Sequence, residues 1–336
     1  MRIALITPAF KHKLSGNEIT ARRYARIFRS LGHRADLSHD YTGTRCDLMV
    51  ALHARRSFDS MYRFRQLHSD LPLILVFTGT DLYRDIRRSS RARMAMRMAD
   101  RLVVLQRMAL QEIPDDLRTI VSVIHQSAQG MRRPPLPPAR VFRICVAGHL
   151  RPEKDPFRAA MAARALPEDS RIRIDHVGAA LSPRMRLMAR RYEQRSPHYR
   201  WLGERSHWQT RRIIAGSHLL VITSRIEGNS NALCEALALS IPVIASRIAG
   251  NMGTLGNEFP GYFPVGDTRG LAELLSRCES DAGFHRTLKA GCVEVAHQVD
   301  PAREAESWRI LIDQFARTGR ELLVRRPVAA PGERHS

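Results

Sequence analysis

Two glutamates eight residues apart, Glu227 and Glu235, stand in the segment LLVITSRIEGNSNALCEALALSIPVIAS, from Leu219 to Ser246. The apolar run before Glu227 reads as a buried strand and the polar residues after it as a loop. Ser230 or Asn231 opens a helix, and the run from Pro242 is a second buried strand. In that frame Glu227 lies on the loop at a strand's carboxyl end, and Glu235 about one turn into the helix. Each carboxylate offers two acceptor oxygens to a vicinal diol, so the pair could grip the sugar and the ribose of a nucleotide sugar. Between them Gly228, Asn229, Ser230 and Asn231 bring the free N–H groups and positive end of a helix to a diphosphate. Glutamates so spaced in isolation would describe only a capped helix with a surface acid. Here the flanking Gly228, the helix start and the two strands favour a site.

A second segment, VFRICVAGHLRPEKDPFRAAMAARAL, ends a strand at Ala147 and begins a helix after Pro156, with Asp155 or Pro156 starting it. Arg151 and Lys154 lie on the intervening loop, close enough to form a cationic clamp on a departing diphosphate. In a chain so rich in arginine, Arg151 also reads as part of a solvated basic loop. Lys154 is harder to set aside, being one of only four lysines.

Three loops in the first half have the same strand-to-helix setting. TPAFKHKLSGNEITARRYARIF carries Ser15, Gly16 and Asn17, where a glycine lets backbone approach a ligand. FTGTDLYRD carries Gly79, Thr80 and Asp81, and ALHARRS carries His53, Arg55 and Arg56. A lone histidine is more often packed or exposed than catalytic, and His53 is a candidate on its loop position. No DxD, Walker loop, GxSxG or HExxH occurs, so no metal or other cofactor is expected.

These loops need a scaffold, and the chain supplies alternating strand-type and helix-type segments, the pattern of parallel α/β structure. Strands are expected near Ile3–Thr7, Arg34–Leu37, Leu48–Leu52, Leu73–Phe77, Leu102–Leu105 and Ile120–Ile124. After RRPPLPPAR they resume near Phe142–Ala147, Ile172–Val177, Tyr199–Leu202, Leu219–Thr223, Pro242–Ala245 and Gly261–Phe263. Prolines cannot continue a helix or occupy a central strand. The expected organisation is therefore an N-terminal Rossmann-like domain over 1–130, a linker over 131–140 and a C-terminal Rossmann-like domain over 141–300 that carries the nucleotide-sugar segment, the first being left for the acceptor side. A helix over 301–324 would pack back toward the N-terminal domain, and 325–336 would be a disordered tail. Two doubly wound, Rossmann-like domains facing each other make a cleft beyond the carboxyl ends of their strands, which is where these loops lie.

The composition fits: 336 residues with 44% hydrophobic content can bury two cores. The longest apolar runs fall far short of the roughly 20 residues that cross a bilayer, so no membrane association is expected. MRIALITPAF enters a strand directly without a secretory pattern, which points to the cytoplasm. Five scattered cysteines without a CxxC argue against disulfides and a zinc site. The net charge of +21 raises nucleic-acid binding as an alternative. The arginines are spread along the chain instead of forming a stripe interleaved with aromatics, and a basic surface equally suits sugar nucleotides and phosphates.

Strand, E-G, helix with a second glutamate, then a buried strand, all preceded by a loop with Arg and Lys, resembles the retaining family 4 glycosyltransferases of the GT-B fold. The resemblance implies that Glu227 serves the donor sugar, Glu235 the ribose, and Arg151 with Lys154 the diphosphate. One departure is Ser240, before Ile241-Pro242, where the family often has glycine. The runs LITPAFKHKLSGNEITARR, LMVALHARRS, FTGTDLYRDI, ADRLVVLQ, HQSA, GHLRPEKDPFRAA, VGAAL, YRWLGE, TSRIEGNSNALCEAL, ASRIAGN and FPGYFPVGDT resemble more closely the selenosugar synthase (SenB) family of selenoneine biosynthesis. That likeness implies transfer from a UDP-sugar, UDP-N-acetylglucosamine or UDP-glucose, to selenophosphate, with formation of a C–Se bond and release of UDP and phosphate. Selenophosphate is a polarisable anion that needs no general base, so the protein would act by positioning and charge stabilisation. Two anions in one cleft call for further cations on the N-terminal side, for which Arg55, Arg56 and Arg84 are the candidates. Gly16, Asn17, Thr80 and Asp81 would line that side. A family 4 enzyme with a hydroxyl acceptor is the competing reading.

Overall fold

The computed structural model describes residues 1–8 and 16–324, with side chains to residue 315. Ser15 and the expected tail over 325–336 lie outside the described residues. The first sheet is built from β1 (Arg2–Ile6), β2 (Arg34–Ser38), β3 (Leu48–Leu52), β4 (Leu73–Val76), β5 (Arg101–Val104) and β6 (Val121–Val123). Its crossovers include α1 (Gly16–Ser30), α2 (Phe58–Leu67), the short α3 (Ile86–Arg88) and α4 (Ser90–Met98). The second sheet is built from β7 (Phe142–Ala147), β8 (Ile172–Val177), β9 (Tyr199–Gly203), β10 (Leu219–Ile222), β11 (Val243–Ser246) and β12 (Tyr262–Phe263). Around it run α5 (Arg158–Ala162), α6 (Pro183–Arg195), α7 (His207–Ala215), α8 (Asn231–Ala238), α9 (Ala249–Leu255), α10 (Thr268–Ser280) and α11 (Ala282–Val295), before the terminal α12 (Pro301–Val324). Each strand lies within one residue of the run that predicted it.

Among the described residues these strands pair in parallel, in the orders β2-β1-β3-β4-β5-β6 and β12-β11-β10-β7-β8-β9. Parallel sheets are covered by helices on both faces, and so β3, β4 and β10 are uninterrupted apolar runs buried at every position. In the second sheet the strand order reverses between β7 and β10, which pair directly. The helices that follow these two strands diverge, leaving a crevice at their carboxyl ends. The Arg151–Lys154 loop leaves β7 and the Glu227 loop leaves β10, so the two segments with the strongest chemistry flank one switch point.

The terminal helix α12 returns to the first sheet. Trp308 is fully buried, with its ring 4.8 Å from that of Tyr24 and 5.0 Å from that of Phe28, both on α1. Leu311 and Ile312 join the same core, which gives α12 an apolar face at helical spacing. Beneath it, Arg23 and the fully covered carboxylate of Glu304 pair at 3.0 Å. All five cysteines are free and buried. Among the described residues no helix is long and apolar enough to cross a membrane, and no three His, Cys, Asp or Glu side chains cluster as a metal would require.

Two local expectations are corrected. Neither Asp155 nor Pro156 starts α5: residues Pro152–Lys154 form a 3-10 turn, Asp155 adopts a left-handed conformation (φ 43), and the helix begins at Arg158. The Asp155 carboxylate accepts from Arg158 Nε at 3.1 Å and so anchors the loop sideways instead of capping a helix. Ser240 also has positive φ (54), so the serine occupies the strained conformation that a glycine would take there.

Candidate active site

A cavity between the two sheets is lined by residues from both. From the second sheet come Gly148, His149, Arg151 and Lys154 after β7, and Gly178 after β8. Glu204, Arg205 and His207 follow β9, and Glu227, Asn229, Ser230, Asn231 and Glu235 follow β10. From the first come Gly16, Asn17 and Thr20 of α1, Thr78, Leu105 and Gln126. The amino ends of α1 and α8 both border this space. Their first turns carry N–H groups without intrahelical acceptors, and their dipoles favour an anion between them.

Lys154 and Glu227 form a hydrogen-bonded ion pair across the switch point, with the side chains 19% and 9% exposed. Ser224 Oγ donates to the same Glu227 oxygen at 2.6 Å. Thr223 Oγ1 donates to the Lys154 carbonyl at 2.8 Å and so ties the two loops together. Arg151 completes the cationic side, and its Nε is buried with no hydrogen-bond partner. A buried donor left unpaired is unusual in a folded protein, and here it borders the space an anion would fill. At the other end of the cavity His207 Nε2 lies 2.6 Å from Glu235 Oε1, which fixes that carboxylate against α7.

Asn229 and Asn231 line the cavity but are tied to the first domain. Gln126 Nε2 donates to the Asn229 carbonyl at 2.7 Å, and Asn229 Nδ2 donates to the Leu105 carbonyl at 3.3 Å. Asn231 Oδ1 accepts from Arg23 Nη1 at 3.1 Å, and its Nδ2 donates to the Gly16 carbonyl at 3.3 Å. Gly228 faces away from the cavity, against Thr78 and Gly79. A Cβ on Gly228 would lie 2.7 Å from the Thr78 carbonyl carbon, and one on Gly79 would lie 2.5 Å from the Gly228 nitrogen. Two glycines thus permit backbone-to-backbone contact between the domains.

Of the acceptor-side candidates, Gly16 and Asn17 line the cavity, whereas His53, Arg55, Arg56, Thr80, Asp81 and Arg84 do not. The buried Asp81 carboxylate accepts from the N–H groups of Thr78 (2.9 Å), Gly79 (2.9 Å) and Ala54 (3.0 Å), so it organises the loop. Arg84 crosses to the second domain and donates to Glu153 at 2.8 Å, a contact that, with Asp85, raises its pKa. Arg55 lies 3.7 Å from Asp85. His53 is buried in a left-handed conformation (φ 72). Its Nδ1 accepts from the Arg56 N–H at 3.4 Å, which leaves Nε2–H facing Thr80 Oγ1 at 3.3 Å, and burial lowers its pKa. Arg56 has its pKa lowered by desolvation and then by the nearby charges of Arg151 and Arg55.

Sequence reasoning passed over Gly148, His149, Gly178, Glu204, Arg205, His207 and Gln126. The signal was present, since all but Gln126 lie on loops at or just after the carboxyl ends of β7, β8 and β9, and ligands in open parallel sheets bind there.

Residues 130–290 match the family model described as Glycosyl transferases group 1. The whole fold is similar to sucrose-phosphate synthase from Thermosynechococcus elongatus, at 16% identity over 94% of this chain and 99% of that one, with a TM-score of 0.77. It is also similar to Anabaena HepE in complex with UDP-glucose, at 16% identity over 96% of this chain and 100% of that one, with a TM-score of 0.73. A third similar structure is the pneumococcal O-GlcNAc transferase GtfA in complex with UDP and GlcNAc, at 14% identity over 91% of this chain and 62% of that one, with a TM-score of 0.65. The stretch that holds the Lys154–Glu227 pair thus matches the glycosyl transferases group 1, in a chain whose fold is the GT-B fold of these solved structures.

Proposed function

We propose that this protein transfers a sugar from a UDP-sugar, UDP-N-acetylglucosamine or UDP-glucose, to selenophosphate. Glu227 serves the donor sugar, Glu235 the ribose, and Arg151 with Lys154 the diphosphate. Gly228, Asn229, Ser230 and Asn231 form the loop and helix start beside it. Selenium bonds to the anomeric carbon as the bond from that carbon to the UDP oxygen breaks. Water then takes the phosphoryl group, and the selenium stays on the sugar. Lys154, held in place by Glu227 and Thr223, meets the charge that develops on the leaving diphosphate.

The observation that carries the acceptor assignment is the build-up of positive charge where the domains meet. Arg151 keeps a buried, unpaired Nε, and its charge, after burial, lowers the pKa of Arg56. A second anion beside the diphosphate would draw on this positive charge, whereas a neutral hydroxyl acceptor would not. Gly16 and Asn17, at the start of α1, would receive that anion, with Arg56 adding charge from behind the cavity wall. His53, Arg55, Thr80, Asp81 and Arg84 act on the acceptor side by shaping the loops behind it. A base is not required, because selenophosphate is already anionic.

The test is incubation of purified protein with each UDP-sugar and selenophosphate, with mass spectrometry of the products. A sugar bearing the selenium isotope pattern is expected. Donor turnover only when a hydroxyl acceptor is supplied would overturn the acceptor assignment while leaving the donor assignment standing.

A further inference from the structure

We propose a second binding site, for a small phosphate-bearing anion, at the back of the domain junction, formed by His125, Arg107, His297 and Arg303. A cavity of about 750 Å³ lies there, and it shares no lining residue with the front cleft. Its wall draws on both domains: Arg107 and His125 from the first, Gly253 and Thr254 from the second, and Arg303 from the first turn of α12.

Three observations converge on an anion. His125 lines the cavity, and its covered Nδ1 has no hydrogen-bond partner within the protein, so the imidazole on this wall is not satisfied by the fold itself. The side chains that face His125 across this cavity include Arg107, His297 and Arg303, and burial first, then these neighbours, lower its pKa. The carboxylates that border the cavity are engaged elsewhere. Glu304 accepts from Arg23 and Ser127, and Glu306 pairs with Arg309 at 2.6 Å. The positive end of α12, a helix of 24 residues, adds to the same potential.

Two guanidinium groups and two imidazoles suit the tetrahedral oxygens of a phosphate, which guanidinium can bind in a bidentate manner. The cavity is large enough for a small phosphorylated molecule as well as inorganic phosphate. His125 directly precedes Gln126, whose amide holds the Asn229 carbonyl in the front cleft, so a ligand on His125 sits one residue behind the donor loop.

Inorganic pyrophosphate, titrated calorimetrically into the full chain, is the probe. Lys154→Ala supplies the background in which the front clamp is weakened, and Arg107→Ala with Arg303→Ala are added to it. Both arginines are exposed, and a melting curve checks that the fold survives. Affinity in the Lys154→Ala chain should fall about tenfold or more when the two arginines are removed. Unchanged affinity, or no binding in the Lys154→Ala chain, would overturn the proposal. Neither outcome depends on which acceptor the front cleft uses.

Discussion

Lys154 and Glu227 face each other from the loops that leave β7 and β10, and their ion pair spans the switch point of the second sheet. The pair sets the distance between the groups proposed for the diphosphate and for the sugar, and either partner alone would leave a largely buried charge uncompensated. Replacing Lys154 by Ala should lower kcat about 100-fold or more, and Glu227→Ala should do the same. Steady-state UDP release, with far-ultraviolet circular dichroism to confirm folding, checks both. Wild-type rates in either variant would remove that residue from the site.

Glu235 is held by His207 at 2.6 Å, at the end of the cavity away from Lys154. A group that binds the ribose acts alike on ground state and transition state. Glu235→Ala is therefore expected to raise the donor KM about tenfold or more with kcat little changed, since a hydrogen bond to a charged group contributes about 1.5–3 kcal/mol. His207→Ala should raise KM less, by loosening the carboxylate. Initial rates at varied UDP-sugar distinguish this from a loss of kcat.

Gly79 and Gly228 bring two backbones into contact across the cleft, and a Cβ at either position would fall inside that contact. Gly79 also sits at φ 129, where L side chains are strained. Alanine at either position should wedge the domains apart, at about 1–3 kcal/mol. A larger radius of gyration by small-angle X-ray scattering and a lower kcat are expected, while affinity for UDP, assigned in our proposal mainly to the second domain, stays nearer to wild type.

His176 ties the phosphate side of the cavity to the core. The buried ring donates from Nε2 to the Gly148 carbonyl at 3.2 Å and accepts at Nδ1 from Tyr199 Oη at 2.9 Å. Burial pushes its pKa down from 6.5 to about 4. The unfolded chain then binds a proton near pH 6.5 that the folded chain refuses until about pH 4, so stability is present above pH 6.5 and falls with acidification through that window. The loss amounts to about 3 kcal/mol. Urea unfolding at several pH values should show this slope, and His176→Gln should flatten it.

Much of the architecture was legible in the sequence for a physical reason. Strands buried on both faces cannot alternate, so LLVI of β10 and LILV of β4 announce themselves as apolar runs, and the loops after β7 and β10 carry charge that no core could hold. Partner choice was not legible. Arg84 and Asp81 have the residue types of a polar binding site, yet Arg84 is engaged by Glu153 and Asp81 by three backbone N–H groups. Sequence spacing does not show which distant group satisfies which charge. Gln126 was hidden for the converse reason: its importance lies in a contact with Asn229, 103 positions further along the chain. The left-handed turn at Asp155 was likewise invisible, because aspartate before proline more often begins a helix than bends away from one.

The most direct measurement follows UDP, phosphate and the selenium-bearing sugar together over one time course. UDP release that requires selenophosphate, with one selenosugar formed for each UDP and each phosphate, is the predicted result. UDP release that is indifferent to selenophosphate, with all selenium remaining bound to phosphorus, would contradict the account.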